Sequence, residues 1–225
     1  MINRLHAQFH RPENGWDPVP SAYARNYAGN EWHGVNEALL EELDCWVGGL
    51  SGKRVLDLGG GPGQYSIAFA LRGADVTWYD VSGNYRAIAE EKAREHAVVV
   101  TFVLGYLDEA PAHLFDLFDL VFCRICWNYS FSDRSFADVV FSLVRPGGVG
   151  YVDTNHSECN RFELSASARF RAWLNDHFAV KIGHPFPPHG RLARLFMQKD
   201  IERFLVDYRS RRNDRLVFVR RSNDS

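Results

Sequence analysis

Two carboxylates and a cluster of glycines carry the most chemistry in this chain. Asp57-x-Gly59-x-Gly61-x-Gly63 lies within Val55-Leu56-Asp57-Leu58-Gly59-Gly60-Gly61-Pro62-Gly63-Gln64-Tyr65, and Asp80 follows 23 residues after Asp57. Glycines let a ligand approach backbone that any Cβ would shield. The loop is not a phosphate-binding P-loop, because no Gly-Lys-Ser/Thr closes it. It also departs from a dinucleotide fingerprint: with Gly59 and Gly61 as the first pair, the third glycine falls on Gln64. Asp57 would repel a pyrophosphate and attract an ammonium group. A ligand with a cationic amino-acid end and no phosphate fits this pattern, and S-adenosylmethionine is such a ligand.

These residues need a strand to end beneath them and a helix to begin after them. The apolar lead-in Val55–Leu58 reads as a buried parallel strand, and Tyr65–Arg72 reads as a helix closed by Gly73. Ala74–Asp80 reads as a second strand ending in an acid, at the spacing of a ribose-binding carboxylate. Such a carboxylate accepts bonds from both ribose hydroxyls. Further strands are read at Val98–Leu104, Phe118–Phe122 and Val149–Thr154, with helices over Tyr85–His96 and Ser135–Val144.

Loop, acid, and the Arg145-Pro146-Gly147-Gly148 turn, in this order, make residues 52–154 resemble the class I, seven-strand S-adenosylmethionine-dependent methyltransferases. The compact plan is most similar to the ubiquinone-biosynthesis type. The resemblance implies a doubly wound α/β sheet of seven strands, mostly parallel with an antiparallel last strand, and helices on both faces. It implies S-adenosylmethionine as cofactor, held by Asp57, Gly59, Gly61, Gly63, Asp80 and Val81, with the Cys123 backbone beside it. The family often places an acid after the third strand to bind the adenine amino group, where this chain has Tyr106. Either Asp108 reaches back, or backbone groups and packing hold the adenine, with Tyr106 and Leu107 as its neighbours. Trp127 and Asn128, after the fourth strand, are expected to line the acceptor pocket. The polar-Pro-Pro-aromatic signature of enzymes that methylate adenine or glutamine nitrogens is missing there.

Residues 1–30 are rich in aromatics and turn formers, with no long periodic pattern before Glu31. Residues 21–27 read as a short helix with Tyr23 and Tyr27 on one face. This segment reads as a lid over the cofactor, with Tyr27 at the methionine end, or as a packing arm over a sheet edge. Residues 31–225 form the single methyltransferase domain, starting with a helix over Trp32–Val47 that Gly48-Gly49 ends. A substrate-wall insertion is expected at about 156–197. His156, at the end of the fifth strand, reads as a general base or as a surface histidine. A helix is read over Arg161–Phe178. The proline-stiffened run 184–196 contains His184, His189, Arg191 and Arg194. There His189 reads as a second base, with His184 as a substrate contact. Arg191 and Arg194 read as partners of an acceptor carboxylate or phosphate, or as ordinary salt-bridge formers. The chain closes with a helix over Lys199–Leu205, strands at Val206–Arg209 and Leu216–Val219, and a solvated turn at 210–215.

A net charge of −2 argues against a nucleic-acid-coating surface. No run approaches the roughly 18 apolar residues of a membrane span, and the N-terminus lacks a signal-peptide core. Cys45, Cys123, Cys126 and Cys159 offer no second Cys-x-x-Cys pair, so free thiols in the cytoplasm and no metal are expected. The function expected is methyl transfer to a small-molecule acceptor at an oxygen, nitrogen or carbon nucleophile. The rivals are a protein or RNA methyltransferase, a nicotinamide oxidoreductase, and a non-catalytic protein that keeps the fold.

Overall fold

The computed structural model describes residues 2–114, 117–159, 165–208 and 210–222. In chain order its elements are α1 (Ile2–Phe9), α2 (Ser21–Glu31), α3 (Glu37–Val47), β1 (Arg54–Leu58), α4 (Gln64–Leu71), β2 (Asp75–Asp80), α5 (Gly83–Glu95), β3 (Val100–Leu104), α6 (Ala110–His113), β4 (Phe118–Arg124), α7 (Asp133–Leu143), β5 (Val144–Asn155), α8 (Ala166–Phe178), α9 (Arg191–Phe196), β6 (Ile201–Asp207) and β7 (Asn213–Arg220). The strands form one sheet in the order β3-β2-β1-β4-β5-β7-β6. All neighbours are parallel except β7, which runs antiparallel to both β5 and β6. The expected doubly wound seven-strand sheet is therefore present.

Strand alternation sorts the core into two layers. On one face Val55, Leu120, Phe122 and Tyr151 pack on Leu40 and Leu43 of α3 and Phe69 of α4. On the other Leu56, Leu58, Val121 and Val152 pack on Phe136 and Val140 of α7 and Phe196 of α9. This parity turns Asp57 toward α4 and sets Asp214, paired with Thr154, on the side of α7 and α9. The carboxyl ends of β1, β2, β4 and β5 then share one edge, where parallel α/β sheets bind ligands.

Several sequence-based boundaries move. α3 starts at Glu37 instead of Trp32, because Asn36 caps it by accepting from the Leu39 amide at 3.1 Å. The N-terminal segment is more helical than its composition implied, with α1 present and α2 running to Glu31. β3 starts at Val100, leaving Val99 89% exposed. α8 starts at Ala166, capped by Ser165, and the expected helix start at Arg161 lies outside the described residues. The helix expected over Lys199–Leu205 is instead β6, because Ile201 to Asp207 extend along β7 in antiparallel register. The turn of that hairpin ends before Asn213, so Asp214 belongs to a strand and is buried.

The wall above β4 and β5 is fastened by a buried ion network. The Lys181 ammonium donates to Trp127 O at 3.0 Å, Ser130 Oγ at 2.8 Å and Asp133 Oδ1 at 3.0 Å. Arg191 Nη1 donates to Asp133 Oδ2 at 2.9 Å, and Nη2 to the Asn175 and Asp176 carbonyls. One carboxylate thus ties α7, α8 and α9 together, and both cations keep its pKa below the ordinary range despite burial. Removing one partner of such a cluster leaves an undercompensated buried charge.

Two predictions follow from this packing. Lys181→Ala should cost about 3 kcal/mol in urea unfolding; a loss under about 1 kcal/mol would show that the network does not hold the wall. A Cβ at Gly63 (φ +86°) would lie 2.6 Å from the Ala89 Cβ of α5, whereas one at Gly61 meets nothing within 4 Å. Gly63→Ala should therefore destabilise by about 2–4 kcal/mol, and Gly61→Ala by only about 1 kcal/mol. Equal losses would refute the assignment of close packing to Gly63 alone.

Candidate cofactor and acceptor site

The loop after β1 is pinned on three sides. Gly59 and Gly60 amides donate to the Tyr79 carbonyl at 2.7 and 3.2 Å. A Cβ on Gly59 would meet Cys126, and one on Gly60 would meet the Trp78 ring, so both positions are filled by the protein itself. Gly61 differs: it faces open space, and its amide donates to Asp80 Oδ2 at 3.1 Å. Asp80 Oδ1 accepts from the Ser82 amide at 3.0 Å. These backbone bonds aim Asp80 at the crevice beside Gly61, with Val81 next to it and half-buried. Asp80 nonetheless titrates above the usual carboxylate range, chiefly through desolvation.

Asp57 is 3% exposed and accepts from Ser66 Oγ at 2.6 Å. Burial pushes its pKa up to about 7, the Ser66 hydroxyl opposes this, and the charge of Asp80 adds to it. Among the described residues this is a buried carboxylate without a bonded cation, near the end of β1 where a cationic ligand group would relieve it. The residues present therefore fit S-adenosylmethionine: an acid for its ammonium, open backbone at Gly61, and a second acid held for its ribose.

Just after β3, the Tyr106 side chain turns to the N-terminal segment. Its hydroxyl donates to the His10 carbonyl at 2.7 Å, and its ring lies 6.1 Å from Trp16 at 24°. Leu107 is buried within reach of Gly59. Asp108 does not bond Tyr106 or the glycine loop: its Oδ2 accepts from the Phe131 amide at 2.7 Å, and burial raises its pKa to about 6. The N-terminal segment docks here. Arg11 pairs with Glu109 at 2.9 Å, and Asp17 accepts from Ser82 Oγ at 2.9 Å and the Asn84 amide at 2.7 Å. Asp17 thus caps α5 beside Asp80. Tyr27 is half-buried, stacked on Tyr23 at 6.1 Å and 5.9 Å from the Tyr85 ring, with its pKa pushed up to about 12 by burial. Trp16 and Asp17 are contacts that sequence reading missed, since neither belongs to a periodic element.

After β4 the chain turns through Ile125 at φ +57°, a strained conformation for a β-branched residue. The turn brings Cys126 Sγ within 3.2 Å of Cys123 Sγ and 3.1 Å of the Leu58 carbonyl. The Cys123 side chain is therefore core, as expected. Trp127 is a correction: it is fully buried in the core, and its Nε1 donates to Asp133 Oδ1 at 3.0 Å, so it does not line a pocket. Asn128 is also buried. His184 is exposed and lies 5.0 Å from the Tyr129 ring, its pKa lowered mainly by desolvation and by Lys181. Arg191 is a second correction, because Asp133 and the α8 carbonyls occupy its donors. Arg194 is exposed.

His156 and His189, 33 positions apart, come together with ring centroids at 4.7 Å. His156 is 4% exposed, and its Nδ1 has no hydrogen-bond partner among the described residues. His189 Nδ1 lies 2.5 Å from Asp214 Oδ1, and Asp214 Oδ2 accepts from the Gly190 amide at 2.6 Å. Asp214 was hidden in what reads as a solvated turn, so no spacing rule could have linked these three.

Comparison with known proteins matches residues 55–148 to a family described as a methyltransferase domain. A ubiquinone biosynthesis O-methyltransferase from Aeromonas salmonicida is 32% identical over 122 residues, covering 54% of this chain and 51% of that one. The chain spans about half the length of the curated relatives it matches. An O-methyltransferase family protein from Burkholderia thailandensis shares the fold, with TM-score 0.61 and 21% identity over 89% of this chain and 60% of that one. So does magnesium protoporphyrin IX methyltransferase from Synechocystis, solved with bound S-adenosylmethionine, with TM-score 0.55 and 19% identity over 81% and 78% of the two chains. No described helix is long and apolar enough to cross a membrane. The glycine loop and both acids lie within the matched segment, and residues 55–148 are similar to S-adenosylmethionine-dependent methyltransferase domains.

Proposed function

We propose that this protein transfers a methyl group from S-adenosylmethionine to a small-molecule acceptor. The observation that carries the reading is Asp57, a buried carboxylate near the carboxyl end of β1 with no bonded cation among the described residues, held by Ser66 and within electrostatic reach of Asp80. When bound, the sulfonium supplies an already activated methyl, so the protein's own task is positioning and exclusion of water. Asp57 holds the ammonium end, Gly61 gives backbone access, and Asp80 accepts from the ribose. The adenine packs by Leu107 and Tyr106, with its edges met by backbone groups or by Asp108 Oδ1, which has no hydrogen-bond partner among the described residues while Oδ2 accepts from the Phe131 amide. The segment from His10 to Asp17 acts as a lid, since its contacts join the ends of β2 and β3 over this crevice. Tyr27 extends that cover toward the methionine end.

The acceptor side lies at the ends of β4 and β5. Asn128, His184 and Arg194 border it, and His156 and His189 are the groups that manage charge on the acceptor. The small acceptor is supported by the net charge of −2, which offers little to a nucleic acid. It is supported too by the name of the relative from Aeromonas salmonicida, an O-methyltransferase of ubiquinone biosynthesis.

Calorimetric titration with S-adenosylhomocysteine tests the cofactor half. Asp80→Ala should weaken binding by about tenfold to a hundredfold, the worth of charge-assisted hydrogen bonds, while NAD should not bind the parent protein. Binding of NAD and not of S-adenosylhomocysteine would overturn the reading. Methyl uptake from labelled S-adenosylmethionine, screened over small phenols, amines and acids, tests the acceptor half.

The pKa of Asp57 gives a second test with a defined sign. In the free protein this acid is half protonated near pH 7, and a bound ammonium pulls its pKa down, so only the carboxylate form binds. Affinity should fall by more than about tenfold from about pH 7.5 to about pH 5.5. Asp57→Asn should bind weakly and flatten this dependence; an unchanged profile would remove Asp57 from the cofactor site.

A further inference from the structure

We propose that His156, His189 and Asp214 hold one divalent transition-metal ion at the carboxyl edge of the sheet. One ligand atom from each residue can be chosen so that all lie within 4.8 Å of one another, and a modest closure brings them to the spacing that bonds of about 2.0–2.2 Å to one ion require. The residues arrive from three places: His156 after β5, His189 from the proline-stiffened loop before α9, and Asp214 from the second position of β7. Backbone bonds fix each arrival. The His156 amide donates to the Arg212 carbonyl at 3.1 Å, and the Ser157 amide to the Pro187 carbonyl at 2.8 Å, clamping loop to hairpin. The Gly190 amide holds Asp214 Oδ2 and leaves Oδ1 turned to the rings.

The second observation is the orphan nitrogen. His156 is buried, and its Nδ1 finds no partner among the described residues. A buried polar atom left unsatisfied costs about 1–3 kcal/mol. A cation bound by that nitrogen removes that cost. Two neutral imidazoles and one carboxylate carry a net charge of −1, which suits a cation.

The donor set fixes the class of ion. Two nitrogens and one oxygen favour zinc, iron, cobalt or nickel over magnesium and calcium, which take oxygen ligands. Three protein ligands also leave coordination positions open, as catalytic sites do and closed structural sites do not. His189, its side chain 40% exposed, marks the open side. On the proposed methyltransferase reading, on which this role rests, the open positions take an oxygen donor of the acceptor, which would favour acceptors that chelate.

Cobalt(II) is the probe, added to chelator-treated protein and followed by visible absorption and calorimetry. The parent chain should bind one ion, which zinc displaces and magnesium does not. His189→Ala and Asp214→Ala should each weaken binding by at least about tenfold while far-UV circular dichroism stays unchanged. Position 189 is the partly open one, so its variant keeps the test valid if replacing the buried partners impairs folding. No stoichiometric uptake by the parent, or parent-like uptake in His189→Ala, would overturn the proposal. S-adenosylhomocysteine titrated in parallel separates the two readings. Its binding without cobalt uptake removes the metal site alone, and cobalt uptake without its binding removes the methyl-transfer reading and leaves the metal site standing.

Discussion

The close packing of side chains from neighbouring elements on the bare backbone of Gly59–Gly63 is the constraint on which the site depends. Cys126 from the β4 turn presses on Gly59, Trp78 of β2 on Gly60, and Ala89 of α5 on Gly63. Three elements therefore meet at a turn with no side chains of its own. Only then does the Gly61 amide reach Asp80, and only then does Asp57 sit buried beneath the loop. The arrangement leaves a carboxylate desolvated, which is unfavourable for the free fold and useful to a cationic ligand.

A second device works on the opposite side of the ligand edge. The Asp133 carboxylate, with Lys181 and Arg191, fastens α8 and α9 to the start of α7. The loop from Gly183 to Gly190 is thereby held at both ends, because Lys181 precedes it and Arg191 follows it. Its prolines stiffen the stretch between. A loop tied in this way can present His189 to His156 at a fixed distance, which a flexible insertion could not do. Charges that read as acceptor contacts in the sequence thus position the wall that carries the acceptor contacts.

What the sequence made legible follows from locality. Asp57, the glycines and Asp80 lie within one strand-loop-helix-strand run, so their spacing alone carries the geometry. The doubly wound sheet of seven strands, mostly parallel with an antiparallel last strand, followed from the resemblance and is present. Lys199–Leu205 reads as a helix and Val206–Arg209 as a strand, but long-range pairing with β7 extends the strand back to Ile201. Arg191 and Trp127 were misplaced for a related reason: their partner Asp133 is remote from one of them and looks like an ordinary helix cap near the other. Asp214 and Trp16 gain meaning only from tertiary contacts, His189 for the first and Tyr106 for the second.

The docking of the N-terminal segment has a consequence for how the chain is made. Arg11 pairs with Glu109, His10 with Tyr106, and Asp17 with Ser82 and Asn84, separations of 65 to 98 residues. A growing chain emerges from the ribosome in sequence order, so Ser82 and Asn84 appear only after β1, α4 and β2, and Tyr106 and Glu109 only after β3 as well. During that interval Trp16 has only its local ring partners, His6 and His10 at 5.5 and 5.2 Å. Closing loops of this length costs entropy that the sheet must first offset by forming. The segment that covers the crevice is therefore the earliest part of this run to be translated and among the last to be placed, which lets the crevice take shape before it is covered.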